Sequence, residues 1–404
     1  MDGIFSKKRM VTFKECEASL TANCDALRSW LLGPAATLWL DRSVDRRSGG
    51  FFDQLSFEDA SNACDLKRLR VCARQIFVFA ELARLGVPDA EAAVQHGLDY
   101  LFTRLRHPAG GFIRSTRLDG TPLDETRDLY DHAFVVFALA AAHRLTGDAA
   151  LLDEARGVLR LVTGEMSHPA GGFIEALPPV HPRRQNPHMH LLEACLAWAA
   201  QVQDPLFVSL AEDLIDLFEK RFRDSETGIL FEFFDDDWSL PADPARRTFE
   251  PGHHFEWIWL LGEARRIGIG SADRQGIAPS LAAIANRGFG AAGLPYGSLR
   301  LDPAGKAVPN DTTCRIWVVT EWLRACLVEP DSGVGSAAPA LARLQQFLDV
   351  PVQGLWHERC DADTGRFATD PVPASSLYHI TSALIPVITT AGRPQAEQNE
   401  GLRA

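Results

Sequence analysis

The chain has 404 residues, 46% of them hydrophobic and 23% charged, with a formal net charge of −12. That composition suits a large globular core, and the acidic balance argues against nucleic acid or an anionic membrane surface as the main partner. The opening MDGIFSKKRM lacks an apolar signal core, and the most apolar stretch, AFVVFALAAA at 133–142, is too short to span a bilayer, so a cytoplasmic location is expected.

Along the chain, apolar residues recur at three- to four-residue spacing in twelve segments: 13–32, 65–86, 89–106, 128–146, 148–166, 187–203, 205–223, 253–268, 271–288, 310–329, 335–349 and 375–391. HRLTGD (143–148) and ARLGVPDA (83–90) punctuate them with a Gly or Pro break that leads straight into the next helix. The eight cysteines, at 16, 24, 64, 72, 195, 314, 326 and 360, contain no CxxC and are scattered through these helical patterns. They read as reduced thiols, with neither disulfides nor a zinc site expected.

The segments repeat. HPAGGFIRS (107–115) and HPAGGFIEA (168–176) are nearly the same string, and the same step along the chain picks out six glycines. Gly50, Gly111, Gly172, Gly228, Gly293 and Gly354 are spaced 61, 61, 56, 65 and 61 residues, each with an aromatic residue within three positions. This predicts a tight loop needing positive φ, followed by a short extended segment, with two helices per repeat. The first and last repeats look like the middle ones, whereas an open solenoid normally carries distinct polar caps. The expected fold is therefore all-α, an (α/α)6 toroid with hairpin-like loops at one end. A single catalytic domain over 1–390 is expected, with 391–404 a polar, disordered tail.

The repeat also sorts the polar residues. In the second helix of each repeat, an unusual polar or aromatic residue falls 18 to 25 positions after the glycine: Arg74, Tyr130, His190, His253, Trp317 and His379. Closing the ring brings these six toward one cavity, where a small polar ligand would be held. His188 and His254 sit on other faces and read as structural, and the sequence leaves His132 open between a structural and a functional role. In RRQNPHMHLLEACLAW (183–198), Asn186 suits an N-cap and Pro187 the first helical position. The pairs His190/Glu193 and His253/Glu256 are spaced H-x-x-E. That order is opposite to the E-x-x-H of di-iron bundles, so each glutamate is expected to orient its imidazole, with no bound metal.

NPHMHLLEA, PGHHFEW with the preceding Glu250, RVCARQIFVFA and SSLYHI together resemble the N-acylglucosamine 2-epimerase superfamily, most closely its mannose isomerase branch. The resemblance spans nearly the whole chain and implies the same (α/α)6 barrel. It also implies metal-independent proton transfer between C1 and C2 of an open-chain sugar. Carried over residue by residue, it makes His190, His253 and His379 catalytic. Arg74, Tyr130, Asn186, Glu193, Glu256 and Trp317 become substrate-contacting or supporting residues. Histidine titrates near neutrality and suits such proton transfer, and Arg74 is placed to stabilise an enediolate oxygen. The expected reaction is mannose to fructose, with His379 as the base at C2 and His253 handling ring opening or the second proton, or with these two roles exchanged. The rivals are a sugar 2-epimerase, a glycoside hydrolase or lyase using carboxylates such as Glu250, Glu256 or Asp131, and a non-catalytic sugar-binding toroid. No cofactor is expected and no nucleotide effector, since no Gly-rich phosphate loop is present. The expected partner is a monosaccharide, and the expected state is a monomer or homodimer.

Overall fold

The structure, a computed structural model, describes residues 23–270 and 276–390. The expected tail at 391–404, positions 13–22 of the first predicted helix and positions 271–275 of the ninth lie outside the described residues. The helices are α1 (23–42), α2 (Leu69–Arg84), α3 (Ala90–Arg104), α4 (Leu129–Thr146), α5 (Ala149–Glu165) and α6 (Asn186–Ala199). They continue as α7 (Pro205–Leu217), α8 (Pro251–Arg266), α9 (Ile277–Ala285), α10 (Ile316–Val328), α11 (Ala337–Leu348) and α12 (Ala374–Thr390).

The even-numbered helices form an inner ring, α2 against α4, α4 against α6, and so on until α12 packs back on α2. The odd-numbered helices from α3 to α11 lie outside, each against its inner neighbour, and α1 is tied to α12 by Arg28, which donates to the Ile388 carbonyl at 3.3 Å. Sequence explains the division. In α4 every residue from Ala133 to Ala142 is buried, as expected of a helix surrounded on all sides. In α5 the buried residues are Leu151, Ala155, Val158, Leu159 and Val162, a single stripe at helical spacing. Asp128 caps the start of α4 by accepting the Asp131 amide, and Gly147 ends it with φ 71°. The predicted (α/α)6 toroid is the observed fold.

Several boundaries differ from the sequence reading, two of them for reasons the chain makes plain. The first helix does not stop at 32. It runs through Gly33 and Pro34 as a π-helical turn, Leu31–Ala35, and continues to Arg42. The wider turn accommodates a proline that has no N–H to donate. The predicted helix at 310–329 begins only at Ile316, because Thr313–Arg315 pairs as a strand with Arg359–Asp361.

That pairing is one of six. Each joins the strand entering an inner helix to the strand following the glycine of the next repeat. Leu66–Arg68 pairs with Ser115–Arg117, Arg127–Asp128 with Ala176–Leu177, and Arg183–Arg184 with Phe233–Phe234. Thr248–Phe249 pairs with Ser298–Leu301, and Val372–Pro373 closes the circle on Gln54–Leu55. All six repeat glycines have positive φ, from 67° to 98°. The need for glycine is steric as well as conformational at Gly111, where a Cβ would sit 2.5 Å from His132 Nε2.

His132, His188 and His254 tie these loops to the inner helices. Each imidazole holds the carbonyl four residues back with Nδ1: Asp128 at 2.7 Å, Arg184 at 3.1 Å and Glu250 at 2.8 Å. Each accepts a loop amide at Nε2, from Phe112 at 3.0 Å, Phe173 at 3.0 Å and Leu230 at 3.2 Å. With both nitrogens used and burial disfavouring charge, all three are lowered, His188 to about 3 and His254 to about 4. They are the loop-to-helix staples of three successive repeats.

Candidate functional site

The six residues in register lie in the first two turns of the six inner helices and meet at the N-terminal end of the ring. Arg74 Nη2 donates to the Tyr130 hydroxyl at 2.7 Å. The Tyr130 ring meets His190 edge-on at 5.0 Å between centroids. Across the chamber, Trp317 lies between His253 at 5.1 Å and His379 at 5.8 Å. Tyr378 packs on His379 at 4.6 Å, and the Arg74 guanidinium lies 5.0 Å from the Tyr378 ring. All three imidazoles are buried, 3% to 6% exposed. Side chains as far apart in sequence as Arg74 and His379 thus share one enclosed space.

A carboxylate stands at Nδ1 of each imidazole, which leaves Nε2 for other partners. His190 pairs with Glu193 at 3.1 Å, His253 with Glu232 at 2.8 Å and His379 with Glu321 at 2.8 Å. Only the first of these is the H-x-x-E pair expected from sequence. Glu256 does not orient His253. It leans toward His190, 3.7 Å from Nδ1, with both carboxylate oxygens buried and without a hydrogen-bond partner. Glu193 is not open to a ligand either, since His190, Arg324 at 3.0 Å and the Tyr378 hydroxyl use both its oxygens. Asn186 is the first residue of α6 rather than its N-cap, which is Gln185. Its amide turns away from the helix end and sits 3.1 Å from His253 Nε2.

Electrostatics separates the three histidines. Burial pulls His253 down, yet Glu232 and Glu250 outweigh it and hold the imidazole at about 10. His253 is therefore a cation at neutral pH. Burial dominates at His190, which falls to about 4 despite Glu193, helped by the charges of Arg74 and His253. It dominates also at His379, pushed well below its ordinary value by desolvation and by Arg74. Glu256 is raised well above the carboxylate range by burial and by its neighbours Glu321 and Glu193. A cationic His253 donates from both nitrogens, so its Nε2 calls for the oxygen of the Asn186 amide.

Sequence reasoning missed Gln185, Glu232, Glu321, Arg324 and Tyr378 as parts of the site. Glu321 and Arg324 carried a signal, as the only charges in IWVVTEWLRACLV, three apart on a helix that is otherwise apolar. They form a buried bridge: Arg324 bonds Glu321 at 2.8 Å and Glu193 at 3.0 Å and lies 3.4 Å over the Trp259 ring. Glu193 and Arg324 also reach a cavity of about 280 Å³ at the opposite end of the axis, among Phe77, Phe137, Trp259 and Ile385. Two groups, His190–Glu193–Glu256 and Glu232–Glu250–His253, bring their polar atoms within 4.8 Å of one another, close enough to hold an ion. In the first, the Arg324 guanidinium already occupies Glu193. In the second, the imidazolium supplies the positive charge, and the Gln185 amide donates to Glu232 at 3.0 Å.

Comparison with known proteins gives the class. The family model for N-acylglucosamine 2-epimerase (GlcNAc 2-epimerase) matches residues 50–383, and this is a sugar isomerase or epimerase. The chain belongs to the N-acylglucosamine 2-epimerase family. It is 35% identical to a mannose-6-phosphate isomerase of Rhizobium meliloti (strain 1021), across 89% of this chain and 95% of that one. It is 29% identical to a D-mannose isomerase of Marinomonas mediterranea, across 53% of this chain and 58% of that one. The solved structure of cellobiose 2-epimerase from Spirochaeta thermophila DSM 6192 shares the fold, with TM-score 0.79 and 22% identity over 93% of this chain and 98% of that one. Among the described residues no helix is long and apolar enough to cross a membrane.

Proposed function

We propose that the chain interconverts an aldose and a ketose, D-mannose and D-fructose, by proton transfer through an enediol(ate), with no metal taking part. The observation that carries this reading is three buried imidazoles on one chamber in unlike surroundings: two carboxyl groups flank and raise His253, whereas burial and Arg74 lower His190 and His379. That is the pairing acid–base catalysis needs at a single site.

Ring opening places a proton from His253 on the ring oxygen while His190 takes the proton of O1, which breaks the bond between C1 and the ring oxygen and leaves the C1 carbonyl. Neutral His379 then takes the C2 proton. The electron pair forms the C1–C2 double bond, and the charge that develops on O1 is met by Arg74, held by Tyr130, until O1 is protonated. Loss of the O2 proton with return of the carbon-bound proton to C1 yields the ketose. Return to the opposite face of C2 would yield the epimer. Glu256, whose carboxyl oxygens make no hydrogen bond to the protein, is placed to bond a sugar hydroxyl.

A neutral hexose is favoured over a phosphorylated one. Arginines near the starts of the inner helices already have acidic partners: Arg68 with Asp53, Arg70 with Asp131, Arg184 with Glu175 and Arg315 with Glu358. The test is proton NMR in D2O of mannose, mannose 6-phosphate, glucose and cellobiose, with and without chelator. Fructose should form from mannose and survive chelation, and His379→Ala should lower the rate by about 10²- to 10⁴-fold, the usual worth of a positioned base. Glucose from mannose would make the enzyme an epimerase, and turnover of the phosphate ester alone would overturn the neutral-hexose assignment.

A further inference from the structure

The six-fold repeat provides an internal control. In each of the first three repeats, a residue three positions after the glycine pairs with an opposite charge on the strand entering the inner helix: Asp53 with Arg68, Arg114 with Asp128, Glu175 with Arg184. The fourth repeat departs from this pattern. Glu232 follows Gly228 by four, and the residue before α8 is Glu250, so both positions carry carboxyl groups. Between them stands His253, with Nδ1 2.8 Å from Glu232 and 3.7 Å from Glu250.

We propose that His253 takes the place of the missing arginine, and that Glu232 is the positioning residue that keeps this imidazole charged as the proton donor of the site. The charge on His253 is argued from the two carboxyl groups that flank it, while the donor role rests on the isomerase reading above.

Glu232 is well fixed for that task. Its amide donates to the Thr248 carbonyl at 3.0 Å, and its Oε2 accepts from Gln185, itself held by the Trp257 indole at 3.0 Å. The other groups facing His253 are Gln185, whose Nε2 lies 3.1 Å from Nδ1, Glu250 at the head of α8, Glu256, Glu321 and His190, Asn186 at the start of α6, and Trp317 of α10. Among these, Glu232 is the carboxylate in direct hydrogen bond with the ring, and Glu250, its side chain 27% exposed, stands further off. In the structural pairs of the first three repeats the cation is an arginine and cannot give up its proton. An imidazolium in the same position can, and Nε2 is the atom from which the proton leaves.

The test is the titration of His253 in the full chain labelled with ¹⁵N-histidine, followed through its ring nitrogens. In the wild type both nitrogens should stay protonated from pH 6 to pH 8. In Glu232→Gln the ring should reach its neutral form at a pH lower by at least about one unit, the usual effect of removing an adjacent opposite charge. On mannose, the alkaline fall of kcat/KM should move down with it, and Glu232→Asp should restore both. Glu175→Gln, which breaks the corresponding structural pair in the third repeat, should lower thermal stability and leave the His253 titration unmoved. An unchanged titration in Glu232→Gln would overturn the proposal, as would a neutral His253 in the wild type at pH 7, or a titration that shifts on chelation. Lack of turnover on every sugar with the expected titration intact would instead refute the isomerase reading.

Discussion

Replacing Arg324 with Met removes the one guanidinium that bridges the partners of two candidate catalytic histidines while keeping a side chain of similar length over Trp259. Arg324 makes two charge-assisted bonds, at 2.8 Å to Glu321 and 3.0 Å to Glu193, and is 2% exposed. Breaking a buried pair from one side costs about 3–5 kcal/mol, because the remaining charge is left without a partner. Two bonds and the stacked ring place this case near 4 kcal/mol. At about 2.1 cal/mol/K of unfolding entropy per residue, a chain of this size should lose about 5 °C in Tm. Burial works to raise Glu193, but the His190 hydrogen bond and Arg324 outweigh it and hold it at about 2, from 4.5. The stability this lends is fully present above pH 4.5 and lost as pH falls toward 2. In Arg324→Met that loss should begin at higher pH. Urea unfolding at pH 7 and pH 4 measures both effects. Adding Glu193→Gln to Arg324→Met should return about 2 kcal/mol, giving strong coupling in a double-mutant cycle. A single-variant cost below about 1 kcal/mol, or a cycle additive within about 0.5 kcal/mol, would refute the reading of Arg324 as a buried keystone.

Activity on mannose should rise with pH as His190, lowered to about 4, and His379, also lowered, become neutral, and fall only as His253 loses its proton near pH 10. An alkaline limb centred near 6.5 in the pH profile of kcat/KM would contradict that order. Gly172→Ala places a Cβ 2.7 Å from Leu217 and 2.9 Å from His188 at φ 67°, and should cost about 2–3 kcal/mol by denaturant unfolding. Gly164→Ala, in the exposed part of α5 with no neighbour within 4 Å, should stabilise by up to about 1 kcal/mol in the same assay. Arg74→Met should lower kcat on mannose by about 10²-fold or more with KM little changed, since an enediolate oxygen is charged only on the way to product. A loss confined to KM would place Arg74 on the bound sugar instead.

The architecture was legible because one short loop recurs. Gly50, Gly111, Gly172, Gly228, Gly293 and Gly354 were found by spacing alone, and all six take the left-handed backbone that the tight turn demands. Counting from those glycines then located the residues on the inner wall, since helix length and loop length change little between repeats. The helix ends were less legible. Gly33-Pro34 reads as a stop, yet a π-turn carries α1 past it. Partners from outside the periodic pattern were hidden altogether. Glu232 lies in LFEFF, a loop and two-residue strand with no helical register, and nothing in its spacing points to His253. The expected pairing of His253 with Glu256 failed for a related reason. Residues three apart on a helix share a face, but Glu256 had a closer opening beside His190, and the start of α8 gave His253 two carboxyl groups from the loops.

Closure of the ring is what turns similar helix starts into different chemical tools. Each inner helix begins in the same way, with a strand paired to the next repeat and a polar residue a turn or two inside. Were the six repeats identical, three histidines at one depth would titrate alike and repel one another once charged. They differ because the surroundings of each start differ. His379 faces Arg74 and lies close to the Arg324 bridge, so neutrality is favoured, whereas His253 stands between carboxyl groups that earlier repeats would have matched with arginine. His190 shares Glu193 with Arg324, so that carboxylate is already balanced and stabilises a proton on the ring less than Glu232 does. Small changes at equivalent positions of a repeat are thus sufficient to set one acid beside two bases, without any change in backbone path.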